Sequence, residues 1–427
     1  MKIAVVGGGV IGLSIAWRCA ERGASVTVID PAPGSGASWV AGGMLAPVAE
    51  AYRGEEAVTA LGVESARRWP AFAAALAGAS GVDPGFTTEG TLVVARDGDD
   101  TGELTDLFAL QRAAGLPAER VTSRAARRLE PALGPAIRGA LWLPEDHQID
   151  NRLLLRALKA ACDRVSVGFV AESATAIAPS SVTVASGVSI GADVVVVATG
   201  AQVPPLVGFD GAAGDADTSI MPVRPVKGQI LRVRSTPTAV CPTRTVRGVD
   251  VYIIPRAHGE IAIGATSEEK GFDTTVTAGA VMDLLRDAWE LCPGLAEAEF
   301  VEAIAGLRPG TPDNAPLIGW WGPGERGSRR SPAGPAGSSC LVAMGHYRHG
   351  VLLAPITADA VSAWVFGPAR NGEDGIDAAA LAPFDPMRFA STSPAALFPP
   401  SSGSAASTGA AGSTLGPGST IRSGASA

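Results

Sequence analysis

Cysteine, histidine, basic charge and long apolar runs are all scarce in this chain. Five cysteines stand at 19, 162, 241, 292 and 340 with no C-x-x-C pair, too scattered for a disulfide framework, so a reducing, cytoplasmic setting is expected. Four histidines, at 147, 258, 346 and 349, form no His/Cys/carboxylate grouping at metal-ligand spacing, and no metal is expected. Against 42 Asp and Glu there are only 34 Lys and Arg, a net charge of −8. That balance argues against a nucleic-acid binder working through a broad basic face. No apolar run reaches the roughly 18 residues a membrane span needs; the best candidate, 351–366, is interrupted by Thr357, Asp359 and Ser362. The apolar opening after Lys2 is broken by Gly7, Gly8, Gly9 and Gly12 and lacks a small-residue cleavage site, so it does not read as a signal peptide.

What is present is ample core material. With 427 residues, 46% of them hydrophobic, the chain has the length of two or three domains. Glycine and proline, 53 and 32 residues, announce many turns. Residues 2–6 read as a strand, 10–22 as a helix and 25–30 as a second strand, a βαβ start. Helical patterns follow near 56–78, 101–114 and 150–163, the last capped by Asp150 or Asn151. Short strands are expected near 165–168, 182–186 and 193–198. From Pro222 to Thr266 strands at 228–233, 251–255 and 260–266 suit an antiparallel sheet of a second domain, followed by a helix at 275–291 and a strand near 299–304. Residues 322–339 read as a flexible insertion. A C-terminal extension, 371–427, ends in a Ser/Gly/Ala tail expected to be disordered from about 395.

The chemistry begins at Gly7-Gly8-Gly9-Val10-Ile11-Gly12, a G-x-G-x-x-G that follows a strand, opens a helix and has Asp30 at the end of the next strand. Gly7 permits the tight turn, Gly9 lets backbone approach a pyrophosphate, Gly12 lets helix and strand pack closely, and the helix N-terminus favours phosphate charge. Asp30 can accept from ribose hydroxyls. NAD and FAD both use such a turn, and three remote pieces favour FAD. Small and hydroxyl residues follow Asp30 from Ser35 to Pro47; a strand at 194–197 ends in Ala198-Thr199-Gly200; and Gly345–Pro355 precedes a helix whose N-terminus could face the flavin ring.

Further words carry a resemblance: GGMLAP at 42–47, PVKGQ at 225–229, YIIPR at 252–256, GAT at 264–266, GLRPGTPD at 306–313 and GHYR at 345–348. In this order they resemble the D-amino-acid-oxidase-type FAD-dependent oxidoreductases, within them the glycine oxidases of thiamine biosynthesis, over residues 1 to about 390. The resemblance implies an α/β fold, with a Rossmann-like FAD-binding domain of the glutathione-reductase type and a second antiparallel-sheet (α+β) substrate domain. It suggests 1–80, 145–215 and 305–370 for the first, and 81–144 and 216–304 for the second. Val10, Ile11, Asp30, Pro31, Ala37, Ser38, Gly42, Gly43 and Met44 match positions that line non-covalent FAD. Ala174 matches the residue whose backbone meets the adenine. His346, Tyr347, Arg348, His349, Gly350, Val351 and Leu352 match the stretch beside the isoalloxazine. Arg308 and Arg348 match the arginines for the substrate carboxylate, and Tyr252 the aromatic over the substrate. Ser267 stands where relatives carry Met, and His349 where Asn is common.

The implied activity is oxidation of glycine and other small amines or D-amino acids by O2, giving the imine and hydrogen peroxide, with possible hand-off of the imine to a thiazole synthase and possible homo-oligomers. No obligatory general base is implied. Read on their own, the residues are plainer. Arg308 is set apart by Pro309, Gly310 and Pro312, which place it on a turn; Arg348 could simply pair with an acid; Tyr252 in an alternating strand reads as core; Lys227 reads as solvated. A flavin dehydrogenase passing electrons to a quinone, a non-catalytic nucleotide-binding sensor and, remotely, a tRNA-modifying enzyme stay open as alternatives.

Overall fold

A computed structural model of the chain describes residues 1–207, 221–321, 340–367 and 378–389. The expected flexible insertion at 322–339 and the expected tail lie outside the described residues.

The βαβ start forms as expected. Strand β1 (Lys2–Val6), helix α1 (Val10–Glu21) and strand β2 (Ser25–Ile29) follow one another, and the strands pair in parallel from Lys2↔Ser25 to Val6↔Ile29. Gly7 makes the turn between β1 and α1 at φ +106°, where an L side chain is strained. A Cβ there would lie 2.3 Å from the Ala198 carbonyl oxygen, and one on Gly12 would lie 1.9 Å from that of Gly7. Glycine at these two places is what brings α1 down onto the sheet.

Six strands make that sheet, in the order Leu317–Trp321, Cys340–Met344, Val194–Val197, β1, β2, Gly168–Val170. All pairs are parallel except the outermost, Leu317–Trp321 with Cys340–Met344. Helices α1, Glu56–Ser80, Asn151–Arg164 and Ala354–Phe366 pack together on it. Helix Glu56–Ser80 buries Val58, Leu61, Ser65, Trp69, Phe72 and Leu76, a stripe at the helical period. Phe72 meets Trp17 and Trp69 edge-on, both at 5.3 Å, and each such buried side chain contributes roughly 1.5–3 kcal/mol of apolar burial. Asp150 caps helix Asn151–Arg164, accepting from the amides of Arg152 and Leu153. No helix among the described residues is long and apolar enough to cross a membrane.

The second sheet has eight strands, led by an edge strand, Glu299–Gly310, beside Arg224–Arg234 and ending at Glu119–Thr122. Its strands pair antiparallel, as expected, at every position but one. Thr245–Arg247 runs parallel to Thr91–Ala95, two segments separated by far more chain than a hairpin turn, so their direction is not tied by a tight connection. The edge strand is also longer than the expected 299–304. It continues through Arg308, which pairs with Val226, and Pro309, which faces Pro225. Proline is tolerated there because this is an edge strand, whose outer side has no ladder to complete. Arg308 therefore sits on a strand, not on the expected turn.

Lys227 corrects another expectation. It is fully buried, and its Nζ donates to Asp273 Oδ2 at 2.6 Å. Its neighbour Gln229 donates to Glu268 (2.7 Å) and Thr277 (3.3 Å). These bonds hold the segment 266–277 against the strand, which is why a lysine can be tolerated inside.

Candidate active site

A cavity of about 700 Å³ runs from the glycine-rich turn to the long edge strand, within the range of cofactor and substrate pockets. Gly7, Gly9, Val10, Ile11, Asp30, Pro31, Ala37, Ser38, Gly42, Gly43 and Met44 all line it. So do Thr199 and Gly200 at the end of strand Val194–Val197, and His346, Tyr347, Arg348, Gly350 and Val351. Residues from five separated stretches of chain thus meet along one wall. That wall fits an extended dinucleotide, because the β1–α1 turn is bare of Cβ atoms where a pyrophosphate would lie against the first turn of α1.

The cradle is held by its own polar groups. Asp30 accepts from the amides of Gly8 (2.6 Å) and Ala32 (2.7 Å), so its carboxylate ties the turn to β2, in addition to whatever ribose contact its remaining lone pairs make. Ser38 Oγ accepts from the amide of Val10 at 3.0 Å. Arg256 donates to the carbonyls of Ile149 (3.0 Å) and Gly42 and to Gln148 (2.7 Å). Burial pulls its guanidinium down to about 10, yet it remains charged at neutral pH.

Four expected residues do not line the cavity. Gly12 is covered by the turn it packs against. Ala174 begins a separate three-stranded antiparallel meander and packs against the cluster of Ile177, Val182 and Val195. Leu352 turns into the core, its carbonyl accepting from Ser65 (2.6 Å) and Trp69 Nε1 (2.9 Å). His349 is buried behind the wall. The lining here is the turn at 345–351, and residues 352–355, which lead into helix Ala354–Phe366, do not line the cavity. His346 does both jobs: it lines the cavity, and its Nε2 lies 3.0 Å from Thr357 Oγ1. Burial drops its imidazole to about 3, so it is neutral.

At the far end, Arg308 and Tyr252 each lie across a glycine of the neighbouring strand. A Cβ on Gly228 would fall 2.3 Å from Arg308 Nη1, and one on Gly264, the register partner of Tyr252, 2.5 Å from the Tyr252 hydroxyl. Arg308 donates to the Thr266 carbonyl at 3.0 Å, and no carboxylate among the described residues lies within ion-pair distance of it. Arg348 differs. It is paired with Glu55 and stacked 4.4 Å from the centre of the Tyr52 ring, so its charge is already matched by a protein acid. Burial pushes the Tyr252 phenol up, which keeps it protonated, with Arg308 opposing.

Several lining residues carried no signal as site residues in the sequence, among them Glu50, Ile230 and Thr274. Asn151 was legible only as a helix start. Its amide donates to the carbonyls of Ser38 (2.9 Å) and Trp39 (2.8 Å), fixing the cradle.

A family model described as FAD dependent oxidoreductase, DAO, matches residues 2–364. The chain belongs to the DAO family of FAD-dependent oxidoreductases. This DAO-family chain is 33% identical over 363 residues to a protein named glycine oxidase from Geobacillus kaustophilus, covering 83% of this chain and 90% of that one. The crystal structure of glycine oxidase from the same organism superposes with a TM-score of 0.76 at 31% identity, covering 91% and 99%. A bifunctional protein ThiO/ThiG from Trichormus variabilis is 33% identical over 375 residues, which is 85% of this chain but 52% of that longer protein. As in its family, the cofactor of this enzyme is FAD, and the residues of the cradle fit it.

Proposed function

We propose that this enzyme oxidises glycine and other small amines or D-amino acids to the imino acid, reducing O2 to hydrogen peroxide. The observation that carries the reading is Arg308, a guanidinium without a carboxylate partner among the described residues, in the same cavity as the dinucleotide turn. A planar fork grips a carboxylate through two parallel hydrogen bonds and stays charged at any working pH. Arg308 thereby anchors the acid end of the substrate, and the Tyr252 ring limits how the rest can lie.

When bound, FAD supplies the acceptor for the hydride leaving the α-carbon and delivers the electrons to oxygen. The chain itself orients: Arg308 sets the distance and angle of the α-carbon, the apolar Ile230 and Ile304 walls exclude water, and neutral His346 buttresses the turn at 345–351. The substrate amine must lose its ammonium proton first, and the imine then hydrolyses to keto acid and ammonium. Cofactor binding is non-covalent in this reading, since Cys340 is fully buried within its strand and its thiol is pushed far up by burial. All five cysteines are free, which suits the cytoplasm. Likeness to the ThiO half of ThiO/ThiG proteins supports a role in thiamine biosynthesis, with the imine passed to a thiazole synthase.

The test is peroxide production by purified flavin-loaded protein across glycine, sarcosine and D-alanine, with the released flavin identified after heating. Yellow protein giving peroxide with glycine supports the reading. Colourless protein, or flavin protein that reduces artificial acceptors but no oxygen, overturns it.

A further inference from the structure

Glu50 lies on the cavity wall at the end of a tightly held segment. Asp146 accepts from the amides of Val48 (3.1 Å) and Ala49 (2.6 Å), and Arg247 donates to the Ala49 carbonyl. The backbone leading into Glu50 is therefore fixed, and its side chain is only 12% exposed. Among the described residues only the His349 ring comes within ion-pair distance of its carboxylate, with Nδ1 3.6 Å away.

That histidine supplies no countercharge. It is buried with neither ring nitrogen hydrogen-bonded, and burial, reinforced by Arg348 and His346, holds its imidazole well below its ordinary range. The nearby arginines hydrogen-bond other groups, Arg348 to Glu55 and Arg247 to the Ala49 carbonyl and the Tyr52 hydroxyl at 3.1 Å, so Glu50 lies in the field of Arg348 without a direct ion pair to it. Among the described residues the Glu50 carboxylate thus faces the cavity without a hydrogen-bond donor or a close ion pair to an arginine or lysine, and is open to a donor from a ligand.

Tyr252 lines the same cavity as this acid and Arg308. Its phenol responds electrostatically to both, Arg308 drawing its proton affinity down and Glu50 raising it, so the hydroxyl lies in the field of each. We propose that Glu50 is a specificity-determining residue for the cationic end of the substrate: with its carboxylate on Arg308, an amino acid spans Tyr252 and presents its ammonium to Glu50. The inference rests on the function proposed above. A zwitterion then has both charges matched, whereas a carboxylic acid of the same size without an amine satisfies Arg308 but meets an uncompensated carboxylate. Glu50 acts here on binding and orientation, and no proton transfer to it is needed.

The experiment compares flavin-loaded wild type, E50Q and E50D, using glycine and acetate. Glycine binding is read from the saturation of the anaerobic flavin-reduction rate, and acetate from competitive inhibition. Wild type should bind glycine more tightly than acetate. E50Q should weaken glycine about ten-fold or more, the scale of one charge-assisted hydrogen bond, while tightening acetate; E50D, which keeps the charge, should retain the preference for glycine. A purely structural role would move both ligands in the same direction. An unchanged glycine-to-acetate ratio in E50Q overturns the inference, and so does wild type binding acetate as tightly as glycine, a result that needs no variant to fold. Wild type that oxidises no amine instead overturns the function itself, so the two failures are distinguishable.

Discussion

Arg232 reaches from the eight-stranded sheet to Asn151 at the head of a helix on the six-stranded sheet, Nη2 to Oδ1 at 3.0 Å. Asn151 in turn holds the carbonyls of Ser38 and Trp39, so one amide couples the second sheet to the cofactor cradle. Arg232 is fully buried and also paired with Glu260. Replacing Asn151→Ala leaves a buried guanidinium nitrogen and the Ser38 carbonyl without this partner, while the Trp39 carbonyl keeps Arg152 Nε at 3.5 Å. We expect a stability loss of about 1–3 kcal/mol and faster flavin loss on dialysis. Urea midpoints and retained flavin absorbance check this; a variant matching wild type in both would show that the bridge is idle.

If Arg308 anchors the substrate as proposed, Arg308→Ala removes that grip and nothing from the cradle. Its kcat/KM for glycine should fall about 10- to 150-fold, corresponding to roughly 1.5–3 kcal/mol of charged hydrogen bonding. The yellow colour should persist. Turnover within two-fold of wild type would remove Arg308 from the site.

Arg348→Met should behave differently, because its guanidinium is already paired with Glu55 and lies over Tyr52. Losing it leaves Glu55 partly buried with the Asn314 amide, 2.8 Å from Oε1, as its remaining donor, and should cost about 1.5–3 kcal/mol of stability, the scale of a lost charged hydrogen bond. The fall in kcat/KM should be smaller than for Arg308→Ala. Equal losses of activity in the two variants, with stability untouched, would mean that Arg348 swings from Glu55 to the substrate.

Asp146 predicts a pH dependence of stability. Burial pushes its carboxyl up to about 7, with the amides of Ala49 and Val48 opposing and Glu50 adding to the rise. Its folded value lies above the unfolded value of about 3.9, so the folded state holds the proton more tightly. That contribution is fully present below the unfolded value and is lost as pH rises through about 7. Wild type should therefore be less stable at pH 8 than at pH 5, and Asp146→Asn should flatten the difference. Urea unfolding at both values decides it; identical slopes in the two proteins would assign the dependence to other groups.

Local chemistry was readable from the chain where one short segment carried the whole instruction. The turn Gly7–Gly12 needs its glycines because α1 and β1 are chain neighbours, and Asp150 caps the helix it precedes. Arg308 and Tyr252 stood out through the words around them, although the strand carrying Arg308 ran past the proline expected to end it, since an edge strand makes no demand on that missing N–H.

Composition and order of residues by themselves determined the FAD-binding class and the mixed α/β layers, because turn geometry and helix period are properties of short stretches. Only the tertiary structure decided that Glu50 lines the same cavity as Tyr252, that Arg348 is already paired, that Lys227 is buried against Asp273, and that Asn151 fastens the cradle. Each depends on pairing between segments roughly a hundred or more residues apart or on folding over of a loop. The energy of such contacts comes from desolvation that no isolated stretch of sequence experiences.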